Sequence, residues 1–256
     1  MEAVELTFLG TGTSHGVPVI GCRCSVCASS NPKNKRTRSS VLIKEQGAHI
    51  LIDTATEFRL QALANHVDRV DAVLYTHCHA DHVFGFDDLR VFAYGQQQPL
   101  PVYGNEPTIS ELRSVFSYAF RRTQEGGGKP HVETNVVHGP FKTAGVEVIP
   151  VPIFHGELPI LGYRIGNMAY VTDCSQIPPE SLALLQSLQV LILGVIRYEP
   201  HPTHMHVAQA LDLVEKLRPH RAYFTHISHL LEHETVSRAL PPGVELAFDG
   251  LTIAVD

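Results

Sequence analysis

Residues 76–82 read THCHADH and stand directly behind the apolar run AVLY at 72–75. The run predicts a buried strand, so His77, His79, Asp81 and His82 sit in a turn at its end. Core packing does not account for them, because each polar side chain in a buried turn needs a partner. Divalent metal ions supply one, since imidazole nitrogen and carboxylate oxygen both ligate borderline or hard cations. Whatever fold the chain adopts must end a buried strand at a metal-binding loop.

The chain is long enough to build a core around such a loop: 256 residues, 44% hydrophobic and 18% charged, as in a soluble globular protein. A formal net charge of -6 gives no global attraction to nucleic acid and leaves only a local basic groove for it. No uncharged apolar run reaches the roughly 18 to 20 residues that span a bilayer. The opening MEAVELTFLG carries two acids where a leader would carry bases, so a cytoplasmic protein without a membrane partner is expected. Three of the five cysteines lie between positions 22 and 27, which argues against a disulfide framework and for ligands.

Strands and helices alternate along the chain. Strands are predicted at 4–10, 39–46, 48–54, 71–76 and 100–104, with helices at 57–67, 85–95 and 107–120. Residues 121–131, with three glycines and a proline, read as a mobile excursion. Strands resume at 145–155, 160–166 and 168–175. Helices at 178–188, 205–219 and 229–240 then alternate with strands at 190–195 and 221–226, and two strands at 244–250 and 251–256 close the chain. The pattern, stated twice, suggests two similar halves packed sheet on sheet with helices outside, and no linker divides residues 1–256.

Three further polar residues stand where predicted strands end: His155, Asp173 and His226. Strand ends on one edge of a sheet converge on one cleft. The expected arrangement is His77, His79 and His155 on one ion, Asp81, His82 and His226 on a second, and Asp173 bridging, with room for a shared water. Asp53 ends the predicted strand HILID, where its carboxylate is expected to orient a ligating histidine or tie down the 76–82 loop.

On these motifs the chain resembles the metallo-β-lactamase superfamily, whose HxHxDH signature residues 77–82 meet without mismatch. The resemblance runs from LGTGTSHG near the amino end to FTHISH at 224–229, and it implies an α/β fold, the αββα four-layer sandwich. It also implies the same ligand roles for His155, Asp173 and His226. The superfamily hydrolyses lactams, thioesters, lactones, phosphodiesters and RNA ends, so fold alone leaves the substrate open.

Cys22, Cys24 and Cys27 in GCRCSVCAS (21–29) offer three thiolates, and one more ligand completes a tetrahedral structural zinc site. A thioredoxin-like reading of Cys24 and Cys27 competes but leaves Cys22 unexplained. His229, three residues after His226, is the best fourth ligand; Cys78 and Cys174 read as packing residues. His204 lies in the loop before a helix and is expected near the metals, whereas His201 reads as structural and His206 as exposed. Together, CxCxxC, HCHADH, LGYRI, VTD, the histidine loop and the terminal FDG resemble the cyclic-phosphate phosphodiesterases of the carbon–phosphorus lyase pathway. That likeness implies the structural zinc set Cys22, Cys24, Cys27 and His229, a catalytic His204, and a ribosyl 1,2-cyclic phosphate as substrate. Two departures bear on substrate: His206 replaces an acidic residue, and GGG at 126–128 has no match.

The chemistry implied is attack on phosphorus by a hydroxide bridging two divalent cations, zinc or manganese, with Asp81 among the catalytic ligands and His204 assisting the leaving oxygen. Residues 10–16, glycine-rich but without a P-loop lysine, are expected to form a tight turn with His15 at the cleft. Arg36 and Arg38 read as exposed cations that meet either phosphate or solvent. The rivals are an RNA-processing endonuclease, which needs a broader basic surface than Lys33–Arg38, a lactone, thioester or lactam hydrolase, and a non-enzymatic zinc module. The expected partner is a small phosphate ester, and a homodimer is compatible with the sequence.

Overall fold

The computed structural model describes residues 4–93, 97–121 and 128–255. Residues 122–127 of the predicted 121–131 excursion lie outside the described residues.

Two seven-stranded sheets face each other. The first contains β1 (Val4–Gly10), β2 (Ser40–Glu45), β3 (Ala48–Ile52), β4 (Ala72–Leu74), β5 (Leu100–Gly104) and β6 (Val132–Val136) in chain order. The second contains β7 (Phe141–Thr143), β8 (Val146–His155), β9 (Leu158–Ile165), β10 (Met168–Val171), β11 (Val190–Gly194), β12 (Arg221–Thr225) and β13 (Val244–Leu246). The last strand, β14 (Thr252–Val255), returns to the first sheet and pairs antiparallel with β1. Each half therefore begins with antiparallel neighbours and ends with parallel ones, from β3 to β6 and from β10 to β13.

Alternation along the strands creates three apolar layers. Leu6, Phe8, Val41, Ile43, Ile50 and Ile52 meet Tyr163, Tyr170, Ile192 and Tyr223 between the sheets. The intervening residues Leu42, Leu51, Val73 and Tyr75 face outward, against Phe58 of α1 (Phe58–Ala64) and Ile109 and Leu112 of a later helix, α4 (Glu106–Val115). On the opposite face, Leu191, Leu193, Ala222 and Phe224 pack beneath α6 (Pro179–Leu184), α7 (Val207–Leu217) and α8 (His233–Ala239). This is the α/β, four-layer αββα sandwich that the sequence implied.

Some elements differ from expectation. Within the helix predicted at 85–95 the described residues form a 3-10 turn at Phe86–Leu89 and a short α3 (Arg90–Ala93), preceded by α2 (Ala80–Val83); residues 94 and 95 lie outside the described residues. The helix at 107–120 breaks at Phe116 (φ -100, ψ 37) into α4 and α5 (Ser117–Phe120). Strands β6 and β7 went unpredicted, because VETNV and FKT are short and mostly polar. Between β2 and β3 the chain turns on Gln46 and Gly47, both at positive φ (50 and 78), as a two-residue hairpin turn requires. No helix of the described residues is long and apolar enough to cross a membrane.

Candidate metal centre

The loop after β4 begins with Thr76 and His77, both buried, and then turns outward at His79, the N-cap of α2. One turn of helix returns Asp81 and His82 to the interior. The parallel strands β3, β4, β10 and β12 all end here. Three of the residues at these ends adopt the left-handed conformation: Asp53 at φ 62, Asp173 at φ 52 and His226 at φ 57. Such backbone costs about 1–3 kcal/mol per residue and clusters at functional sites. It bends each strand end so that the side chain faces the cleft.

The donors gather in two sets: His77, His79 and His155, and Asp81, His82, Asp173 and His226. Nε2 of His77 lies 3.0 Å from Nδ1 of His79. Two nitrogens bound to one tetrahedral ion at ordinary bond lengths would stand roughly 3.3 Å apart. Asp173 lies between the sets, Oδ2 3.7 Å from His77 Nε2 and 3.4 Å from His82 Nε2, Oδ1 3.1 Å from His226 Nε2. Asp81 Oδ2 is 3.3 Å from His82 Nε2. The second set is buried throughout, whereas His79 opens the first to solvent. His204 is within reach of His155 and Asp173 as well, so it can serve as a ligand or as a neighbour of the ions.

Hydrogen bonds behind the donors fix which ring nitrogen faces the cleft. His82 Nδ1 meets Asp53 Oδ2 at 2.7 Å. Thr76 donates its backbone N–H to Asp53 Oδ1 and its hydroxyl to Oδ2, both at 2.8 Å, and its oxygen stands 3.0 Å from His77 Nδ1. His155 donates from Nδ1 to the Thr203 carbonyl at 2.8 Å. In each case Nε2 keeps its lone pair for the site.

Two further observations fit cations here. Nε2 of His82 and both ring nitrogens of His226 are buried without a hydrogen-bond partner, a costly state that metal ligation relieves. The local field also favours positive charge. Burial opposes a charged His82, yet Asp173, Asp81 and Asp53 outweigh it and hold the imidazole well above its ordinary value. Burial likewise opposes charge on Asp81 and Asp173, but the surrounding histidines keep both carboxyls well below theirs. Burial lowers His77 and His79, leaving them neutral as ligation requires.

A third cluster lies apart from the cleft. Nδ1 of His229 is 3.4, 3.4 and 3.5 Å from Sγ of Cys22, Cys24 and Cys27. One tetrahedral zinc would place these atoms roughly 3.6 Å apart. Cys174 is buried against the second sheet and Cys78 is half-buried; neither belongs to a donor set.

Arg36 corrects an expectation. It is not an exposed cation but is 3% exposed, donating to Thr11 Oγ1 and the Ala247 carbonyl, each at 2.7 Å, with His233 Nδ1 at 3.1 Å. Arg38 pairs with Glu57, Lys33 Nζ stands 3.6 Å from Glu234, and Lys35 donates to the Cys27 carbonyl. His206 is half-buried as the N-cap of α7, and His15 is exposed. Thr76 and Thr203, which orient three histidines, were missed; the signal was a threonine immediately before His77, Asp173, His204 and His226.

The Beta-lactamase superfamily domain matches residues 48–227. A solved structure described as a new diphosphatase from the PhnP family superposes with a TM-score of 0.93 at 44% identity, covering 99% of this chain and 97% of that one. The chain belongs to the metallo-β-lactamase superfamily and to its PhnP family. Other members of the superfamily fold share the architecture: PqqB from Methylobacterium extorquens (TM-score 0.79, 20% identity, 97% and 99% covered) and the short form of human tRNase Z (0.72, 18%, 98% and 99%). Among curated proteins, Octanoyltransferase of Porphyromonas gingivalis is 40% identical over 253 residues, 97% of this chain and 51% of that protein. Ribonuclease Z of Clostridium acetobutylicum is 27% identical over 149 residues, 54% of this chain and 47% of that protein. The chain thus spans about half the length of the curated relatives it matches. In this superfamily fold the His/Asp cluster is a site for divalent metal ions.

Proposed function

We propose that the protein hydrolyses a P–O bond in a small phosphodiester, with a cyclic phosphate such as 5-phosphoribosyl 1,2-cyclic phosphate as the first substrate to test. The reading is carried by His204. Its ring lies 4.6 Å from that of His155 and is stacked 5.0 Å from that of His226, so one uncommitted imidazole adjoins both donor sets. Its Nδ1 is buried without a partner.

Divalent ions held by the two sets, zinc or manganese, would supply Lewis-acid activation of water and charge neutralisation at the phosphoryl oxygens. Asp53 and Thr76 keep His77 and His82 in the ligating tautomer, and Asp173 joins the sets. Hydrolysis adds the elements of water across P–O, so one proton must reach the departing oxygen; His204 is the side chain placed to provide it or to hydrogen-bond that oxygen. Burial, and next the charge of His226, push His204 down to about 3, and a bound anionic ester would oppose that shift. Cys22, Cys24, Cys27 and His229 hold a third, structural zinc.

The placement of positive charge favours a small substrate over RNA. The Lys33–Arg38 cations, which a nuclease would offer to phosphates, are committed to Glu234, Glu57, the Cys27 carbonyl and the buried Thr11. The 44%-identical PhnP-family diphosphatase supports a second reading in which the bond cleaved joins two phosphoryl groups. Acyl transfer, suggested by the Porphyromonas gingivalis relative, has less support, since this chain matches about half of that protein.

The test is one metal-loaded preparation assayed on the cyclic ribosyl phosphate, 2′,3′-cyclic nucleotides, a diphosphate diester, bis-p-nitrophenyl phosphate, a lactone, a lactam and a structured RNA. Phosphate esters should turn over and carbonyl substrates should be nearly inert. A lactone or lactam cleaved faster than every phosphate ester overturns the reading.

A further inference from the structure

His201 was read as structural, yet its ring is oriented toward a task. The Thr203 backbone N–H lies 3.3 Å from His201 Nδ1, and the Thr203 hydroxyl is equally close. A backbone N–H only donates, so Nδ1 is the acceptor and the proton of the neutral ring resides on Nε2. The carbonyl of the same Thr203 holds His155. One residue therefore aligns a metal-centre histidine with its C=O and His201 with its N–H.

The rings of His155, His226 and His201 all adjoin that of His204, with centroids 4.6, 5.0 and 5.0 Å from its own. His226 is buried, whereas His204 and His201 are half-buried. The loop is braced by Arg197, which donates to the Glu199 carbonyl at 3.1 Å and the Pro200 carbonyl at 2.6 Å. In the pose that the proposed function implies, with the leaving oxygen at His204, the His201 ring 5.0 Å from that of His204 would be a neighbour of the leaving group.

We propose that His201 is a specificity residue whose Nε2–H donates a hydrogen bond to an acceptor oxygen on the leaving group. The inference rests on the phosphodiester reading and narrows it to leaving groups with an acceptor oxygen beside the departing one, either a sugar oxygen or a second phosphoryl group. A plain aryl alcohol offers no such oxygen. No proton is transferred at His201, so the ring acts as a fixed donor.

Two substitutions separate this role from loop support. In His201→Asn the amide oxygen takes the place of Nδ1 and still accepts from Thr203, but nothing reaches as far as Nε2. In His201→Gln an amide N–H recovers that reach. The Asn variant should keep metal content and Tm, lose about 10- to 30-fold in kcat/KM on the cyclic ribosyl phosphate or the diphosphate diester, and lose at most about twofold on the nitrophenyl ester. The ester with the larger loss tells whether the acceptor is a sugar or a phosphoryl oxygen. Gln should restore most of the loss. A direct binding arm compares inorganic pyrophosphate with inorganic phosphate on the metal-loaded protein, and the Asn variant should weaken only the former if the acceptor is phosphoryl. Equal losses on all esters, or a Gln variant as impaired as Asn, overturn the proposal. Wild-type protein inert toward every phosphate ester would instead remove the functional reading, and His201 would then stand only if the Asn variant still weakened pyrophosphate selectively.

Discussion

The carboxylate of Asp53 stands 2.7 Å from Nδ1 of His82 and, through the Thr76 hydroxyl, also governs Nδ1 of His77. One buried acid thus sets the tautomer of a histidine in each donor set. Asp53→Asn keeps the shape but presents an N–H or a weaker acceptor to at least one of these partners. Metal affinity should fall about 10- to 100-fold, as measured by competition with a chelating dye. An unchanged affinity would mean that Asp53 serves folding alone.

Metal content tests the donor sets together. Protein purified without chelator should carry close to three ions per chain, one of them independent of turnover. Cys24→Ser should lower thermal stability more than kcat, because a closed site contributes folding free energy. A reproducible content of two, with the cysteines oxidised in pairs, would remove the third site.

The cysteines also differ in acidity. The backbone N–H of Cys27, then His229, bring Cys24 down to about 6, while burial pushes Cys27 up to about 11. In chelated protein, alkylation of Cys24 should follow a thiolate fraction with its midpoint near 6, and Cys27 should remain a thiol at neutral pH. Because the folded value of Cys24 is depressed, its contribution to stability is full above the unfolded value near 9 and fades as pH falls through about 6. Equal labelling of both thiols at pH 7 would contradict this.

His204→Ala should retain both metals and the fold while lowering turnover about 10²- to 10⁴-fold on esters with a poor alkoxide leaving group. The loss should shrink on a nitrophenyl ester, whose leaving oxygen needs no proton. His226→Ala should instead reduce metal content and activity on every substrate. Loss of an ion in His204→Ala would place this imidazole among the ligands.

Legibility in the sequence followed the distance over which each signal acts. HCHADH is local, and the strand ends that carry His155, Asp173 and His226 were marked by apolar runs, so the composition of both donor sets was readable from the chain. Arg36 was misread because the residues around it, KNKRTRSS, are polar, whereas its partners Thr11, Ala247 and His233 lie 25, 211 and 197 positions away. The orientation of His201 depends on a backbone N–H two residues on, which no pattern of residue types reveals. Strand β6 draws its place from β5 alone, at the edge of a sheet, where burial is partial and alternation fades.

The return of β14 to β1 bears on how the protein is made. The Thr7 and Thr252 hydroxyls, 2.9 Å apart, belong to residues 245 positions apart. The first sheet therefore keeps an open β1 edge until residues 252–255 have been made. His226 and His229 also arrive late, each completing a set whose other members are made earlier. A nascent chain that has reached His155 already carries the three members of the first set, but the other two sets must wait for His226 and His229. In the interval the exposed β1 edge and three unligated thiols are what the cell must protect.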